Sequence, residues 1–404
     1  MAGLSTGIGS WPGTEVAAAT RLTFGEFPEL PYLPELPGRG TAAGMIGRAT
    51  TLCAGLSFDL QPAGWRLTDA SGADHRRANA LFRQDLDTLE EVAQGWTGPV
   101  KVAVAGPLTM AASVEKPRGD KVLSDHGARR DLAQALAEGT AELFDEIARR
   151  LPAIQPVLQV DEPLLPRVLA GEVATASGFG RHRRVDLPEV AGALEPFAVA
   201  GRRHGHRRHT DTSGFGDTGL GDSGFGASGL GESGFERSGF EASLAESGMR
   251  DGRGHGSQDA AATSDRADEA LPWSTVLHCC APGLPVAEVI RAGFEAVSVP
   301  LETLTGGDRD RRTQLDAIAT AVDSGHALLL GVADTATVDT VQTHDALARR
   351  ALELLRPLEL GPTLAEALVL TPACGLAGWS PAAALAQARA VRRAADIVAE
   401  ELLR

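Results

Sequence analysis

Short apolar runs alternate along the chain with longer stretches of helical period. Each run ends in Gly, Pro, Asp or Cys, and the stretches between them are rich in Ala, Leu and Arg. Buried parallel strands read as continuous apolar runs, and the helices that cover them show a 3.6-residue period. We therefore predict eight strands, near residues 4–10, 30–35, 100–106, 156–161, 274–280, 295–300, 327–332 and 367–372.

The helices between these strands have clear sequence signals. Six apolar side chains fall mostly on one stripe of a predicted helix, and Ser380-Pro381 forms a cap and first-turn pair before the last one. An alternation of strands and helices of this kind predicts an α/β fold, a single (β/α)8 TIM barrel. The stripe consists of Leu132, Leu136, Leu143, Phe144, Ile147 and Leu151.

Residues 178–272 interrupt this pattern. They lose hydrophobic periodicity, become rich in Gly, Ser, His, Arg and acids, and contain a five-residue repeat that begins SGFGD at Ser213. Glycine at two of five places raises the entropy that ordering must overcome, so we predict a disordered insert. The domain prediction is then residues 1–177 for strands 1 to 4 of the barrel, 178–272 for the insert, and 273–404 for strands 5 to 8.

Composition restricts the classes of function. Lys and Arg number 38 against 53 Asp and Glu, for a formal charge of −15, which argues against a nucleic-acid or membrane-surface binder. No run of eighteen apolar residues and no leader-like start occurs, and four cysteines, two of them adjacent, do not make a disulfide framework. We expect a cytoplasmic protein with reduced thiols.

The fifth predicted strand carries candidate metal ligands. In STVLHCCAP, His278 and Cys280 are two apart and point to the same side of a strand, and Cys374 lies at the end of the eighth predicted strand. One nitrogen and two sulfurs make a plausible catalytic zinc set with an open position. The alternative is that the cysteines are small buried hydrophobes and that a carbonyl satisfies the histidine.

Two further segments carry polar groups at strand ends. Asp161 and Glu162 end the fourth predicted strand on opposite sides, so one can face the barrel axis, either as an anchor for an ammonium group or as a helix cap. In IGSWPGT, Gly and Ser after a short strand let backbone amides approach a carboxylate, or simply form a first turn.

Five segments, in order along the chain, resemble the catalytic half of cobalamin-independent methionine synthase, in the superfamily that also holds uroporphyrinogen decarboxylase. TGIGSWPGT resembles the family's Ile-Gly-Ser-Phe-Pro opening, and VAGPLTM its Gly-Pro-Val-Thr segment. LQVDEPLL resembles its Gln-Ile-Asp-Glu-Pro strand end, LHCCAP its His-x-Cys, and TPACGL its Asn-Pro-Asp-Cys-Gly-Leu. The resemblance covers nearly the whole chain apart from the insert. Because 404 residues without the insert are too few for two barrels, we expect a one-barrel form of the enzyme.

The resemblance implies a role for each matching residue. It makes His278, Cys280 and Cys374 ligands of Zn2+, and it makes Asp161 the group that holds the ammonium of homocysteine. Glu35 becomes a second ammonium contact. The segment that receives the substrate carboxylate consists of Ile8, Gly9 and Ser10.

Three positions depart from the family pattern. The family's glutamate ligand falls on Pro300, and Glu302 has the matching parity to replace it as a fourth metal ligand if the strand continues. The family's histidine acid falls near Ala336, where Asp334 is retained as the candidate catalytic residue. The tryptophan beside the folate is replaced by small residues in MAAS. These losses leave both methylfolate and a methyl-corrinoid open as the methyl donor, since the second needs no proton on leaving.

The resemblance therefore implies a zinc-dependent methyltransferase that converts homocysteine to methionine. Two alternatives stay open. One is a lyase of the uroporphyrinogen decarboxylase type, which needs no metal; the other is a degenerate, non-catalytic barrel that serves as a scaffold.

Overall fold

A parallel sheet of seven strands organises the described part of the chain. The computed structural model describes residues 3–205, 270–304 and 309–404. All pairs of neighbouring strands in the sheet are parallel, and the strands other than β1 are buried along their whole length. The α/β prediction is confirmed. In pairing order the strands are β1 (Leu4–Ser5), β9 (Leu368–Pro372), β8 (Ala327–Ala333), β7 (Ala296–Pro300), β6 (Thr275–His278), β5 (Gln155–Asp161) and β4 (Pro99–Ala105).

Helices follow the strands, and several begin at residues whose side chains cap them. Asp125, Thr343 and Ser380 each accept a hydrogen bond from a backbone N–H in the first turn, as short polar side chains do at this position. No helix in the described ranges is long and apolar enough to cross a membrane. The helices are α1 (Val16–Glu26), α2 (Met45–Thr50), α3 (Ala73–Val92), α4 (Pro107–Ser113), α5 (His126–Arg150), α6 (Leu165–Ala170), α7 (Leu187–Gly205), α8 (Val286–Arg291), α9 (Arg309–Asp323), α10 (His344–Leu355), α11 (Gly361–Ala367) and α12 (Pro381–Leu402).

The predicted apolar stripe of α5 is buried, as the 3.6-residue period requires. Ser380 also caps α12 as predicted, with Pro381 as its first residue. Burial of one helix face against the sheet is what stabilises helices of this kind. The buried stripe residues within α5 are Leu132, Leu136, Leu143, Phe144 and Ile147, and Leu151 follows as the C-cap.

The second predicted strand, residues 30–35, is not a strand of the sheet. It makes two isolated bridges, one between Tyr32 and Lys101 and one between Glu35 and Ser10. Prolines stand at 28, 31, 34 and 37. Because proline has no N–H to donate, every third residue interrupts a continuous ladder. The segment nevertheless lies beside β4 on one side and beside residues 9–11 on the other.

An antiparallel hairpin was missed by the sequence analysis. Strands β2 (Ser57–Gln61) and β3 (Gly64–Thr68) pair with each other and not with the parallel sheet. Their sequence, SFDLQPAGWRLT, is only half apolar, because in each strand a single residue is buried. Such mixed patterning gives no continuous run of the kind used to find the other strands.

The prediction that residues 178–272 form a disordered insert is wrong for the N-terminal part of this range. Residues 187–205 form α7, whose Val190, Leu194, Phe197 and Ala198 are fully buried. Their spacing is helical, but Pro196 and the small residues between them hide the period. The five-residue repeats lie in 206–269, outside the described residues.

Candidate metal centre

Three side chains predicted as metal ligands converge at strand ends. His278 is the last residue of β6, Cys280 follows two positions later, and Cys374 lies two positions after β9. One ligand atom from each lies within 4.8 Å of the other two. Among the side chains that the structure describes, this is the one such group of three or more His, Cys, Asp or Glu residues.

One nitrogen of the His278 imidazole has a hydrogen-bond partner, and the other nitrogen has none. Its Nδ1 lies 2.9 Å from the hydroxyl oxygen of Ser298, which stands opposite it in the β6–β7 register. Its Nε2 is buried and has no hydrogen-bond partner. A buried nitrogen without a hydrogen-bond partner is energetically costly. A histidine that binds a metal needs one such free nitrogen, with its other nitrogen fixed by an outer hydrogen bond.

The two sulfurs near this nitrogen differ in proton affinity. The interaction with Cys280, followed by that with His278, holds the pKa of the Cys374 thiol well below its usual range. The same interaction raises the pKa of Cys280. The interaction between the two sulfurs therefore favours loss of a proton from the pair, and the thiolate is the form of cysteine that binds metals.

For a zinc ion held by the three side chains, replacement of Ser298 by alanine is expected to weaken binding by about 10–100-fold, the usual effect of losing an outer-shell partner. A competitive titration with a zinc chelator measures this change. Ser5→Ala is the matched control, because Ser5 is a fully buried strand serine whose hydroxyl has no hydrogen-bond partner. Equal zinc affinity in Ser298→Ala and wild type would contradict the role given to this hydroxyl.

A buried polar network lies beside the cluster. Asp161 ends β5 directly opposite His278 in the register of β5 and β6, and its Oδ1 accepts a hydrogen bond of 2.7 Å from Gln159 Nε2. Gln159 also donates to the carbonyl of Ile8 at 2.7 Å, and Lys101 Nζ donates to the same carbonyl at 3.0 Å. Burial raises the pKa of Asp161 to about 6, although the nearby His278 acts in the opposite direction and lowers this pKa.

The predicted carboxylate-binding segment lies at the same end of the sheet. Leu376 donates a backbone hydrogen bond to the carbonyl of Ser10, and a Cβ added to Gly375 would come within 1.9 Å of Ser10 Oγ. Gly9 accepts a backbone hydrogen bond from Glu35. The residue after Cys374 is therefore in close contact with the opening segment.

Glu35 is buried in the same region. Its Oε1 lies 3.4 Å from Arg48 Nε. Burial raises the pKa of Glu35 to about 7, although Arg48 acts in the opposite direction and lowers it.

Glu162 has a different role from its neighbour Asp161. It accepts hydrogen bonds from the backbone of Leu108 and from both the backbone and hydroxyl of Thr109, so it caps α4.

Glu302 and Asp334 are not brought to the three ligands. The chain turns into a short 3-10 helix, Leu301–Leu304, immediately after Pro300, so the extended parity on which the Glu302 prediction depended is lost. Glu302 Oε1 instead accepts a 2.6 Å hydrogen bond from Arg350. Asp334 accepts hydrogen bonds from Ala336 N and the Thr337 hydroxyl, as a turn-forming aspartate does.

Sequence reasoning missed Lys101, Gln159 and Ser298. Each is buried, and Lys101 and Ser298 are the single polar residues of their strands, whereas Gln159 shares β5 with Gln155 and Asp161. The available signal was parity: Gln159 is two residues before Asp161, so both point to the same side of β5.

No family model matches this chain, and no curated protein does. Among solved structures, the chain is similar to a B12-independent methionine synthase from Shewanella sp. W3-18-1 in complex with selenomethionine. The two are 14% identical with a TM-score of 0.49, over 100% of this chain and 99% of the other. A similarity this distant assigns no activity to the chain.

Proposed function

We propose that this protein is a zinc-dependent methyltransferase that transfers a methyl group to the thiol of homocysteine to give methionine. The observation that carries the proposal is the convergence of His278, Cys280 and Cys374, with an unpartnered His278 Nε2, beside a buried Asp161. A candidate metal-binding set and a buried carboxylate at the same end of the sheet would suit a substrate that carries both a thiol and an amino group.

The donor set fits zinc. One imidazole nitrogen and two sulfurs are ligands that Zn2+ prefers, and three protein ligands leave the fourth tetrahedral position for a substrate. Zinc bound there would lower the pKa of an incoming thiol and keep it as a thiolate at neutral pH. Glu302 is left out of this set, because its carboxylate pairs with Arg350.

The chain's own residues would bind and orient the rest of the substrate. We assign Asp161, held by Gln159, to the ammonium group and Glu35 to a second contact with it. The backbone of Ile8, Gly9 and Ser10 is assigned to the carboxylate. Charge-assisted hydrogen bonds in a buried site are short and strong, and fixing both ends of the amino acid places its sulfur for in-line attack.

The bonding change needs little from the chain beyond this placement. A bond forms between the substrate sulfur and the methyl carbon, and the bond between that carbon and the donor breaks. We carry both methylfolate and methyl-corrinoid as donors. The cobalt of a methyl-corrinoid keeps the electron pair of the broken bond and needs no proton, whereas the leaving nitrogen of methylfolate would take its proton from solvent water, since Asp334 is engaged in a turn.

We also propose that the sheet is part of a (β/α)8 barrel. In this barrel residues 30–35 would lie between β1 and β4 and complete the seven observed strands to eight. The bridges from Tyr32 to β4 and from Glu35 to Ser10 support this assignment. It would put every assigned group at the carboxyl end of the barrel strands, where enzymes of this architecture bind substrates.

The test is to incubate the zinc-loaded full chain with L-homocysteine and either methyltetrahydrofolate or methylcobalamin, and to quantify methionine by mass spectrometry. We expect methionine with at least one donor, its loss on chelation and its return with added zinc. Absence of methionine with both donors, in a protein that retains its thermal unfolding transition, would contradict the proposal.

A further inference from the structure

Lys101 is a fully buried lysine that the proposed chemistry does not use. It lies in the middle of β4 with no exposed surface, and its Nζ is 5.1 Å from the centre of the Tyr32 ring. Nζ donates to the Ile8 carbonyl at 3.0 Å and to Gln159 Oε1 at 2.6 Å. Burying an ammonium group is costly unless its partners repay the lost hydration, so its retention here calls for a specific explanation.

The hydrogen bonds of Lys101 fix the direction of the Gln159 amide. With Oε1 facing Lys101, Nε2 faces Asp161 Oδ1 and the carbonyl of Ile8, both at 2.7 Å. The reversed amide would place its oxygen against two acceptors and its NH2 group against the ammonium. One orientation is therefore strongly preferred, and Lys101 acts on Asp161 through Gln159.

Lys101 is linked by hydrogen bonds to both parts of the assigned amino-acid site, the part that would bind the ammonium group and the part that would bind the carboxylate. Through Gln159 it orients Asp161, which is assigned to the substrate ammonium. Lys101 and Gln159 both donate hydrogen bonds to the carbonyl of Ile8, so they fix its position. Ile8 is the first residue of the segment assigned to the substrate carboxylate. We propose that Lys101 is a positioning residue that, with Gln159, selects thiols carrying an α-amino and α-carboxylate group over simple alkyl thiols.

This inference rests on the proposed function. A purely structural role is the alternative, because Asp161 and Glu35 are buried carboxyl groups whose charge Lys101 offsets. The two roles differ in what they affect: charge compensation influences stability and all ligands alike, whereas positioning changes the preference between ligands.

The experiment compares Lys101→Met, Gln159→Met and Gln155→Met in the zinc-loaded full chain. Gln155 is the matched control, since it is a buried glutamine on the same strand and the same side, hydrogen-bonded to Leu271. Calorimetric titration gives the affinities for L-homocysteine and for 1-propanethiol, which lacks both polar groups. Zinc content and thermal unfolding are measured on the same samples.

In Lys101→Met and Gln159→Met we expect the preference for homocysteine over propanethiol to fall at least tenfold, with zinc content and propanethiol affinity unchanged. Gln155→Met should keep the wild-type preference. If Lys101→Met does not fold, Gln159→Met decides, because it breaks the same chain of hydrogen bonds without leaving carboxyl groups uncompensated.

Two results would overturn the inference. One is a wild-type preference in both site variants. The other is a wild-type protein that binds zinc and propanethiol but does not prefer homocysteine, which leaves the thiol-methylation proposal standing for another acceptor. A wild-type protein that binds neither thiol would overturn the proposed function and this inference together.

Discussion

Replacement of Cys374 by alanine is expected to lower zinc affinity at least about 100-fold and to abolish methyl transfer. Loss of an outer-shell partner costs 10–100-fold in metal affinity, and removal of one of three protein ligands has a larger effect. Cys374 also supplies one of the two sulfurs that lie close to His278, so the variant keeps only one nitrogen and one sulfur. Zinc content after dialysis against a chelator, together with methionine formation, measures both effects.

Cys279→Ala provides the control for this variant. Cys279 lies between the two proposed ligands of the HCC sequence, but its sulfur is buried and donates to the carbonyl of Ala281. We expect near wild-type zinc content and activity from this change. Equal zinc loss in Cys279→Ala and Cys374→Ala would contradict the assignment, as would full zinc content in Cys374→Ala.

Replacement of Asp85 by alanine is expected to lower the free energy of unfolding by about 3–5 kcal/mol, the usual cost of removing one partner from a buried ion pair. Asp85 has no exposed surface. It accepts two hydrogen bonds from Arg39, at 2.6 and 2.7 Å, and one of 2.6 Å from Arg48. Without it, two largely buried guanidinium groups lose their main counter-charge. Urea denaturation followed by circular dichroism measures the change.

The effect of Asp85→Ala should reach the candidate site, because Arg48 also contacts Glu35 at 3.4 Å. Asp131→Ala is the control, since Asp131 pairs with Arg130 where both side chains are exposed. Exposed pairs of this kind contribute about 0–1 kcal/mol. A loss below 1 kcal/mol in Asp85→Ala would show that this network does not stabilise the fold as its burial indicates.

The strands of the sheet could be predicted because they are buried on both faces. β8, for example, is a continuous apolar run, and both β8 and β5 begin and end within one residue of the predicted positions. Elements that depend on partial burial or on small residues were harder to find. The hairpin of β2 and β3 buries a single side chain in each strand, and α7 carries a proline within its helical pattern.

The site could be predicted in part from the alternation of side chains along strands. Parity places His278 and Cys280 on the same side of a strand, and the position of Cys374 at another strand end makes it the third candidate. Glu302 was assigned by the same rule, but the chain leaves the extended conformation at Leu301, so the rule no longer applied. Parity predicts which residues share a face only while the strand lasts.

The polar network behind the site could not be predicted from local sequence. Lys101 lies on β4, Gln159 on β5 and Ile8 after β1, and only the tertiary fold brings these distant segments together. A single buried lysine within an apolar run has no local partner that would reveal its purpose. Such residues become interpretable when the neighbouring strands are known.

Zinc K-edge X-ray absorption of the full chain, with and without homocysteine, tests the central assignment most directly. The account predicts stoichiometric zinc with one nitrogen near 2.0–2.1 Å and two sulfurs near 2.3 Å, about the usual distances for His and Cys ligands. Homocysteine should add a third sulfur. A shell of nitrogen and oxygen alone, or one that homocysteine leaves unchanged, would contradict it.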